Sequence, residues 1–239
     1  MKEDASALLE RVRKARMERH AVQKDGAEVE VEDAYEVQAA LGEERELKGY
    51  KLGLISPAKQ SQMGLDSPIY GRVYPEMLLE NPVSLGEFIQ PRFEPELAAV
   101  LRDDVPPGTS SGAASLAVGG VFLAIDFLDS IWEGYDFSIA DVIADNASGG
   151  GFLLGERLLD VPLEGELRLY LDGELVAQGL LEVLGDPGER LAWLASEVGG
   201  LKAGQVVFLG SPAAALEARP GTLELRGPEK STLVARLEE

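Results

Sequence analysis

The chain has 239 residues, of which 45% are hydrophobic, and this supports one large domain with a substantial core. Its 42 acidic and 22 basic residues give a net charge of −20, which argues against nucleic acid or an anionic membrane as a partner. Cysteine is absent and His20 is the one histidine, so we expect no disulfide, thiol nucleophile or histidine-based triad in the main body.

The N-terminal part is predicted to be helical. Leu8, Val12 and Ala15 share one face of an amphipathic helix over residues 4–22, and a second helix covers residues 33–41. The first residues lack the apolar stretch of a signal peptide, so we expect a cytoplasmic protein. We divide the chain into a helical N-terminal segment, residues 1–48, and a β-rich catalytic domain, residues 49–239.

The second part begins with a short predicted strand over residues 49–55, followed by a loop with one helical turn over residues 56–74. Asp172-Gly173 between alternating segments predicts a tight hairpin. Asp186, Pro187 and Glu189 predict a helix start with a capping box. The remaining strand candidates are residues 91–101, 118–127, 151–155, 166–171, 174–183, 205–210, 222–226 and 231–237. The pattern predicts an α+β, β-rich fold.

Three carboxylates lie in apolar, strand-like segments. Glu94 and Glu96 are two residues apart, so they point to one side of a strand, and Asp126 lies in a strand candidate of its own. Buried like charges repel, and a divalent cation is the simplest way to keep several of them ionised. The alternative is that these residues lie on a solvated strand face, and a Glu-x-Glu pair considered alone favours this interpretation.

Four further residues are candidates for the chemistry. Lys51 lies on a short strand between glycines and could bind a carboxylate or move a proton, although most lysines are simply exposed. Asn146 and Ser148 precede three consecutive glycines and offer neutral hydrogen bonds to an anionic or keto substrate, or form a flexible turn. Ser211 follows an apolar strand, where a hydroxyl is a ligand contact about as often as part of a turn.

Taken together, these segments resemble the fumarylacetoacetate hydrolase family, in its branch of 2-keto-4-pentenoate hydratases and 4-oxalocrotonate decarboxylases. The matching stretches follow the family's order and are residues 32–38, 49–53, 63–68, 91–96, 126–130, 145–148 and 210–211. The resemblance implies a mixed β-roll or barrel with a helical N-terminal segment. It also implies a divalent metal, Mg or Mn, at Glu94, Glu96 and Asp126, an active-site lysine at Lys51, and substrate contacts that include Asp66.

The sequence departs from the pattern of the hydratase branch in three ways. Asp126 stands where that branch usually has Glu, Ile131 stands where an arginine is expected, and residues 67–70 lack a second acidic residue. The resemblance implies a small 2-keto or 2-hydroxydienoate substrate in aromatic-compound breakdown, a homo-oligomer, and association with a related lyase. We expect a hydratase, because Ile131 removes one cation that a second substrate carboxylate would need.

Several other functions stay open at this point. The first alternative is 4-oxalocrotonate decarboxylase, which needs the same metal and lysine. The second is hydrolysis of a C–C bond in an acylpyruvate, for which His20 is too remote to activate water. The third is a non-catalytic partner subunit, against which the intact Glu94, Glu96 and Lys51 argue.

Overall fold

A computed structural model describes residues 2–24, 26, 28–55, 60, 67–159 and 164–239, with the backbone alone at residues 157–159. The described residues form five α-helices, α1 to α5 in chain order. Their bounds are Glu3–Glu18, Val31–Ala40, Ser111–Leu116, Ile139–Ala144 and Pro187–Val198. No helix among these residues is long and apolar enough to cross a membrane.

Twelve strands, β1 to β12 in chain order, are found in the same part of the chain. The first six are Gly49–Gly53, Ile69–Val73, Val83–Ser84, Arg92–Leu101, Val118–Leu128 and Gly149–Leu159. The other six are Glu166–Leu171, Glu174–Leu180, Val206–Phe208, Leu216–Glu217, Gly221–Arg226 and Thr232–Glu238.

The strands form two mixed sheets. In the larger, the order is β2-β1-β9-β4-β5-β6, with β10 pairing with part of β4. β1 runs parallel to β9, and the other pairs of this sheet are antiparallel. In the smaller, the order is β3-β12-β11-β7-β8. The central pair β4–β5 stays in continuous register from Arg92 to Val100.

The two faces of the larger sheet have different surroundings. Tyr50, Leu97 and Ile125 alternate with the candidate site residues and lie in the main apolar core, which extends under the smaller sheet. The opposite face carries a smaller apolar cluster, in which the Phe152 and Phe208 rings stack with centroids 4.1 Å apart. The candidate site lies on this second face.

The N-terminal helices pack against the body of the protein. Leu9 and Val12 of α1 and Val37 of α2 share an apolar cluster with Ile131 and Trp132, which follow β5. α4 completes the cluster, and its capping box is formed by Ser138 and Asp141. The predicted boundary between residues 48 and 49 stays a prediction, but the helices before it bury apolar surface that the later part of the chain supplies.

The structure differs from the sequence predictions in several places, and the short strands β3 and β10 are among the elements that the sequence does not predict. The first helix ends at Glu18, because Arg19 adopts a left-handed conformation with φ 53°. Residues 69–73, predicted as loop, form β2, and α4 was not predicted. The Asp186 side chain accepts from the Gly188 N–H, so its cap is a single bond and the predicted capping box is wrong. The loop predicted over residues 56–59 and 61–66 lies outside the described residues.

The Asp172-Gly173 hairpin between β7 and β8 is confirmed and can be tested by a matched pair of glycine substitutions. Gly173 has φ 85°, and a Cβ there meets no atom within 4 Å, so Gly173→Ala should lower the free energy of unfolding by about 1–2 kcal/mol through backbone strain alone. A Cβ at Gly112 also meets no atom within 4 Å, but Gly112 lies in α3. Gly112→Ala should therefore raise the free energy of unfolding by up to about 1 kcal/mol. Urea unfolding measures both, and equal signs would contradict the hairpin geometry.

Candidate metal and catalytic site

Two adjacent strands bring the three predicted carboxylates together. Glu94 and Glu96 lie on one face of β4, and Asp126 of β5 lies directly opposite Glu94 in the ladder. Each residue offers one carboxylate oxygen, and these oxygens all lie within 4.8 Å of one another. Glu96 and Asp126 are fully buried, whereas Glu94 is half-buried. This arrangement can hold one cation between three oxygen ligands.

Lys51 reaches the same cluster from β1. Its ammonium nitrogen lies 2.7 Å from Asp126 Oδ2 and donates to the Ala147 carbonyl oxygen over 3.1 Å. The side chain is 2% exposed. Its position follows from the sheet, because Lys51 is level with Phe208 of β9, which in turn is level with Ala98 of β4. Lys51 therefore shares a face with Glu96, two residues before Ala98.

Small side chains leave room above the sheet at this point. Ala98 and Ala124 lie beside the carboxylates and are fully buried, and the stacked Phe152 and Phe208 rings lie next to them. Gly71 pairs with Lys51, and a Cβ at Gly71 would come within 2.4 Å of the Asn146 carbonyl oxygen. The carboxylates and Lys51 therefore lie in an apolar setting into which a backbone turn fits closely.

Burial makes the charges of the cluster unfavourable. Desolvation raises the pKa of Glu96 well above its ordinary value, and the neighbouring Asp126 and Glu94 charges add to the effect. Desolvation also raises the pKa of Asp126, although the Lys51 ammonium opposes it. At Lys51, burial acts to lower the pKa, but attraction to Asp126, Glu96 and Glu94 outweighs it and raises the pKa. Lys51 is thus an ammonium at neutral pH.

The donor set fits a hard divalent cation. The Gly210 backbone N–H is close enough to lower the pKa of Glu96, but neither Glu96 oxygen makes a hydrogen bond of good geometry within the described part of the chain. Buried carboxylate oxygens without donors are costly unless a proton or a cation compensates them. Oxygen ligands alone suit magnesium, calcium or manganese.

The predicted substrate-contact residues differ in whether their side chains already have hydrogen-bond partners. Both polar atoms of the Asn146 side chain bond the backbone of Arg72, over 2.7 and 2.8 Å. The Ser148 hydroxyl is buried and has no hydrogen-bond partner among the described residues, so it remains available to a ligand. Ser211 exchanges two hydrogen bonds with the Ala213 backbone. Asp66 lies outside the described residues.

A second charged cluster was not predicted from the sequence. Arg16 of α1 forms ion pairs with Asp129 and with the fully buried Asp145. The sequence nevertheless contains an indication of this cluster. Arg16 follows Leu9 and Val12 at helical spacing and so lies on the apolar face of α1, where a charge needs a partner. A cavity of about 710 Å³ lies against Arg16, Asp129 and Asp145 and opens to solvent.

The carboxylate site predicts a metal-dependent change in stability. Magnesium at about 100 times its dissociation constant should raise the free energy of unfolding by about 2.7 kcal/mol, because it binds the native state alone. Glu96→Gln should abolish the increase. Glu174→Gln, which removes one exposed charge from β8, is the control and should keep it. Thermal unfolding with magnesium and with a chelator makes the measurement; an equal response of both variants would contradict the site.

The raised pKa of Glu96 predicts how the metal-free stability depends on pH. The unfolded chain loses this proton near the ordinary value of 4.5, whereas the folded protein keeps it to higher pH. Protonated Glu96 therefore contributes its full stabilisation of the folded protein below pH 4.5. This contribution is lost as the pH rises through the raised pKa of Glu96 in the folded protein. Relative to wild type, Glu96→Gln should become more stable as the pH rises. Melting temperatures in chelator across this range test it, and parallel curves would show that Glu96 does not titrate in this way.

Comparison with known proteins agrees with this fold. Residues 64–234 match the family described as fumarylacetoacetate (FAA) hydrolase, C-terminal. A 4-oxalocrotonate decarboxylase from a Pseudomonas species is 35% identical over 208 residues, 81% of each chain. A 2-keto-4-pentenoate hydratase from Paraburkholderia phymatum is 35% identical over 188 residues, 74% of this chain and 71% of its own.

A solved structure supports the same relationship. The 4-oxalocrotonate decarboxylase from Pseudomonas putida G7, complexed with magnesium and adipate, superposes with a TM-score of 0.91 at 28% identity. The match covers 100% of this chain and 98% of that one. The β-rich α+β fold is confirmed, and so is the prediction of a lyase, since both kinds of relative are lyases. The chain belongs to the fumarylacetoacetate hydrolase family.

Proposed function

We propose that the protein is a metal-dependent hydratase that adds water to a short 2-hydroxy-2,4-dienoate and yields a 4-hydroxy-2-keto acid. The observation that carries the proposal is a buried ammonium, Lys51, placed against three clustered carboxylates. The relatives named as hydratases and decarboxylases support the class of reaction. The magnesium in the solved decarboxylase supports a divalent cation at this site.

Each group has a distinct role in this proposal. Glu94, Glu96 and Asp126 would hold the cation. A bound divalent cation would supply Lewis-acid stabilisation of the negative charge that develops on the oxygens of the 2-keto acid. Ser148 offers a hydroxyl to the anionic end of the substrate. Hydration moves the 2-hydroxyl proton to the terminal carbon and then adds hydroxide and a proton across the remaining double bond.

Lys51 begins this reaction as a proton donor and charge partner. Its ammonium has donors only, so it is not a metal ligand, and its raised pKa keeps it charged before the substrate binds. It becomes a base only after it has given its proton to the substrate. Burial beside Ala98 and Phe208 keeps bulk water away from this exchange.

The charges on the site face favour a substrate with one carboxylate. Arg72 pairs with Tyr50 and therefore lies on the face opposite Lys51. Arg92 shares the face of Glu94, but its guanidinium lies 3.9 Å from the centre of the Tyr135 ring. Lys51 is paired with Asp126. The two cations that the described strands place on this face, Lys51 and Arg92, are thus already engaged, and a neutral vinyl terminus needs no further cation.

Decarboxylation of a dicarboxylate is the second candidate, and Arg92 is the observation in its favour. It lies two residues before Glu94 on the same side of β4. A guanidinium that leaves the Tyr135 ring could bind a second carboxylate in two-point geometry. The absence of an arginine at position 131 carries less weight than the sequence suggests, because Ile131 is fully buried in the N-terminal apolar cluster.

Other parts of the proposal rest on the relatives alone. A role in aromatic-compound breakdown follows from the names of the relatives. The cytoplasmic location, the homo-oligomer and the association with a related lyase stay predictions. A non-catalytic partner subunit is disfavoured, because the three carboxylates and Lys51 come together in the fold.

Product analysis tests the proposal. The protein is incubated with 2-hydroxypenta-2,4-dienoate and, separately, with 4-oxalocrotonate, each with magnesium and with a chelator. We expect water addition to the first substrate to be faster than CO₂ release from the second, and both to require magnesium. Faster CO₂ release would reject hydration in favour of the second candidate.

Lys51→Met should keep magnesium binding and lose turnover by a factor of about 100 or more; full turnover would reject the role of Lys51.

A further inference from the structure

Arg16 connects the N-terminal helix to the turn that holds Lys51. Its guanidinium donates to Asp129 Oδ2 over 2.8 Å and to the Asp129 carbonyl oxygen over 2.6 Å. It also donates twice to Asp145 Oδ1, over 3.0 Å from Nε and 2.6 Å from Nη2. The other Asp145 oxygen accepts from the Ser130 hydroxyl and the Ile131 N–H. Asp145 therefore has fixed partners on both oxygens and is held from two directions.

The turn that follows Asp145 is strained. Asn146, Ala147 and Ser148 have φ angles of 55°, 54° and 52°, a left-handed conformation in three consecutive residues with side chains. Each such residue costs about 1–3 kcal/mol and persists only where its surroundings determine it. The surroundings here are the bonds of Asp145 to Arg16 and those of the Asn146 side chain to the Arg72 backbone.

The strained turn fixes the direction of one backbone carbonyl. Ala147 lies in the middle of the three left-handed residues, and its oxygen accepts from Lys51 Nζ over 3.1 Å. With Asp126, this carbonyl determines where the Lys51 ammonium lies. A turn that relaxed to an ordinary conformation would point the carbonyl elsewhere.

We propose that Arg16 is a positioning residue for Lys51, acting through Asp145 and the left-handed turn over residues 146–148. It contacts neither the substrate nor the carboxylate cluster in this scheme. The inference rests on the proposed function in one respect, namely that the position of Lys51 matters for turnover. Its structural part, that Arg16 maintains the turn, is independent of which reaction the protein performs.

The competing explanation is that Arg16 only fastens α1 to the body of the protein. Two variants of the same helix separate the explanations. Val12→Ala loosens the packing of α1, since Val12 is 1% exposed in the N-terminal cluster, but leaves the Arg16 pairs in place. Arg13→Ala removes an equal charge from a residue whose ion pair is with Glu10 of the same helix.

The experiment compares full-length wild type, Arg16→Ala, Arg13→Ala and Val12→Ala. For Arg16→Ala we expect kcat to fall about ten- to a hundredfold, as for a misplaced catalytic group, with unchanged magnesium affinity. Low millimolar guanidinium should restore part of the loss, because the cavity beside Arg16 is open to solvent. Arg13→Ala should keep the wild-type kcat, and Val12→Ala should lose melting temperature but little kcat.

A crystal structure of Arg16→Ala gives a measure that does not depend on activity. We expect the Ala147 φ to leave the left-handed region and the distance from Lys51 Nζ to the Ala147 oxygen to increase. An unchanged turn would overturn the inference whatever the enzyme does. Equal losses of kcat in Val12→Ala and Arg16→Ala would also overturn it, because helix docking would then explain the effect.

The two proposals can fail separately. A wild-type protein that converts neither dienoate, with a turn that moves in Arg16→Ala, would reject the proposed function and leave the structural inference standing. If Arg16→Ala does not fold, Arg16→Lys takes its place, since it keeps the charge but not the forked geometry. We then expect a severalfold lower kcat at nearly wild-type melting temperature; a wild-type kcat would overturn the inference.

Discussion

The clustering of three carboxylates and one ammonium on a single face of the larger sheet is the constraint on which the rest of the site depends. Two of these carboxylates and the ammonium are almost completely removed from water, and such groups are tolerated only when charges compensate one another. The Lys51–Asp126 pair compensates one negative charge, whereas the buried Glu96 oxygens have no hydrogen-bond partner among the described residues. A protein that keeps this arrangement gives up stability, which a bound divalent cation would restore.

The strand order of the larger sheet explains how this cluster forms from distant parts of the chain. β4 and β5 are antiparallel neighbours, so Glu94 and Asp126 meet across one ladder position, although they are 32 positions apart in the chain. β9 lies between β1 and β4, and this places Lys51 level with Ala98 at the distance of two strands. Four charges from three strands thus lie on rigid elements, where packing limits their movement.

Much of this could be predicted from the sequence, because short-range rules determine it. The Glu94-x-Glu96 spacing gives a common face, the apolar flanks give burial, and Asp172-Gly173 gives a hairpin. β2 was missed, because five residues, Ile69 to Val73, carry too little pattern to distinguish a strand from a loop. The contact between Arg16 and Asp145 spans 129 positions, and no local pattern specifies such a partner. The charge on the apolar side of α1 indicates only that a partner exists.

In the proposed mechanism, hydration and decarboxylation would use the same carboxylates and the same lysine, so the choice between the two reactions must depend on residues outside the cluster. Arg92 and Tyr135 are two such residues at the edge of the cluster. Their contact keeps a cation on the site face without directing it at a ligand. The backbone turn that contacts Lys51 is the second feature outside the cluster. The Ala147 carbonyl takes one donor of the ammonium, so the turn that carries it limits the directions in which Lys51 can give a proton. Because Arg16 holds that turn through Asp145, the N-terminal helix is part of the site, although the sequence suggests a separate helical segment.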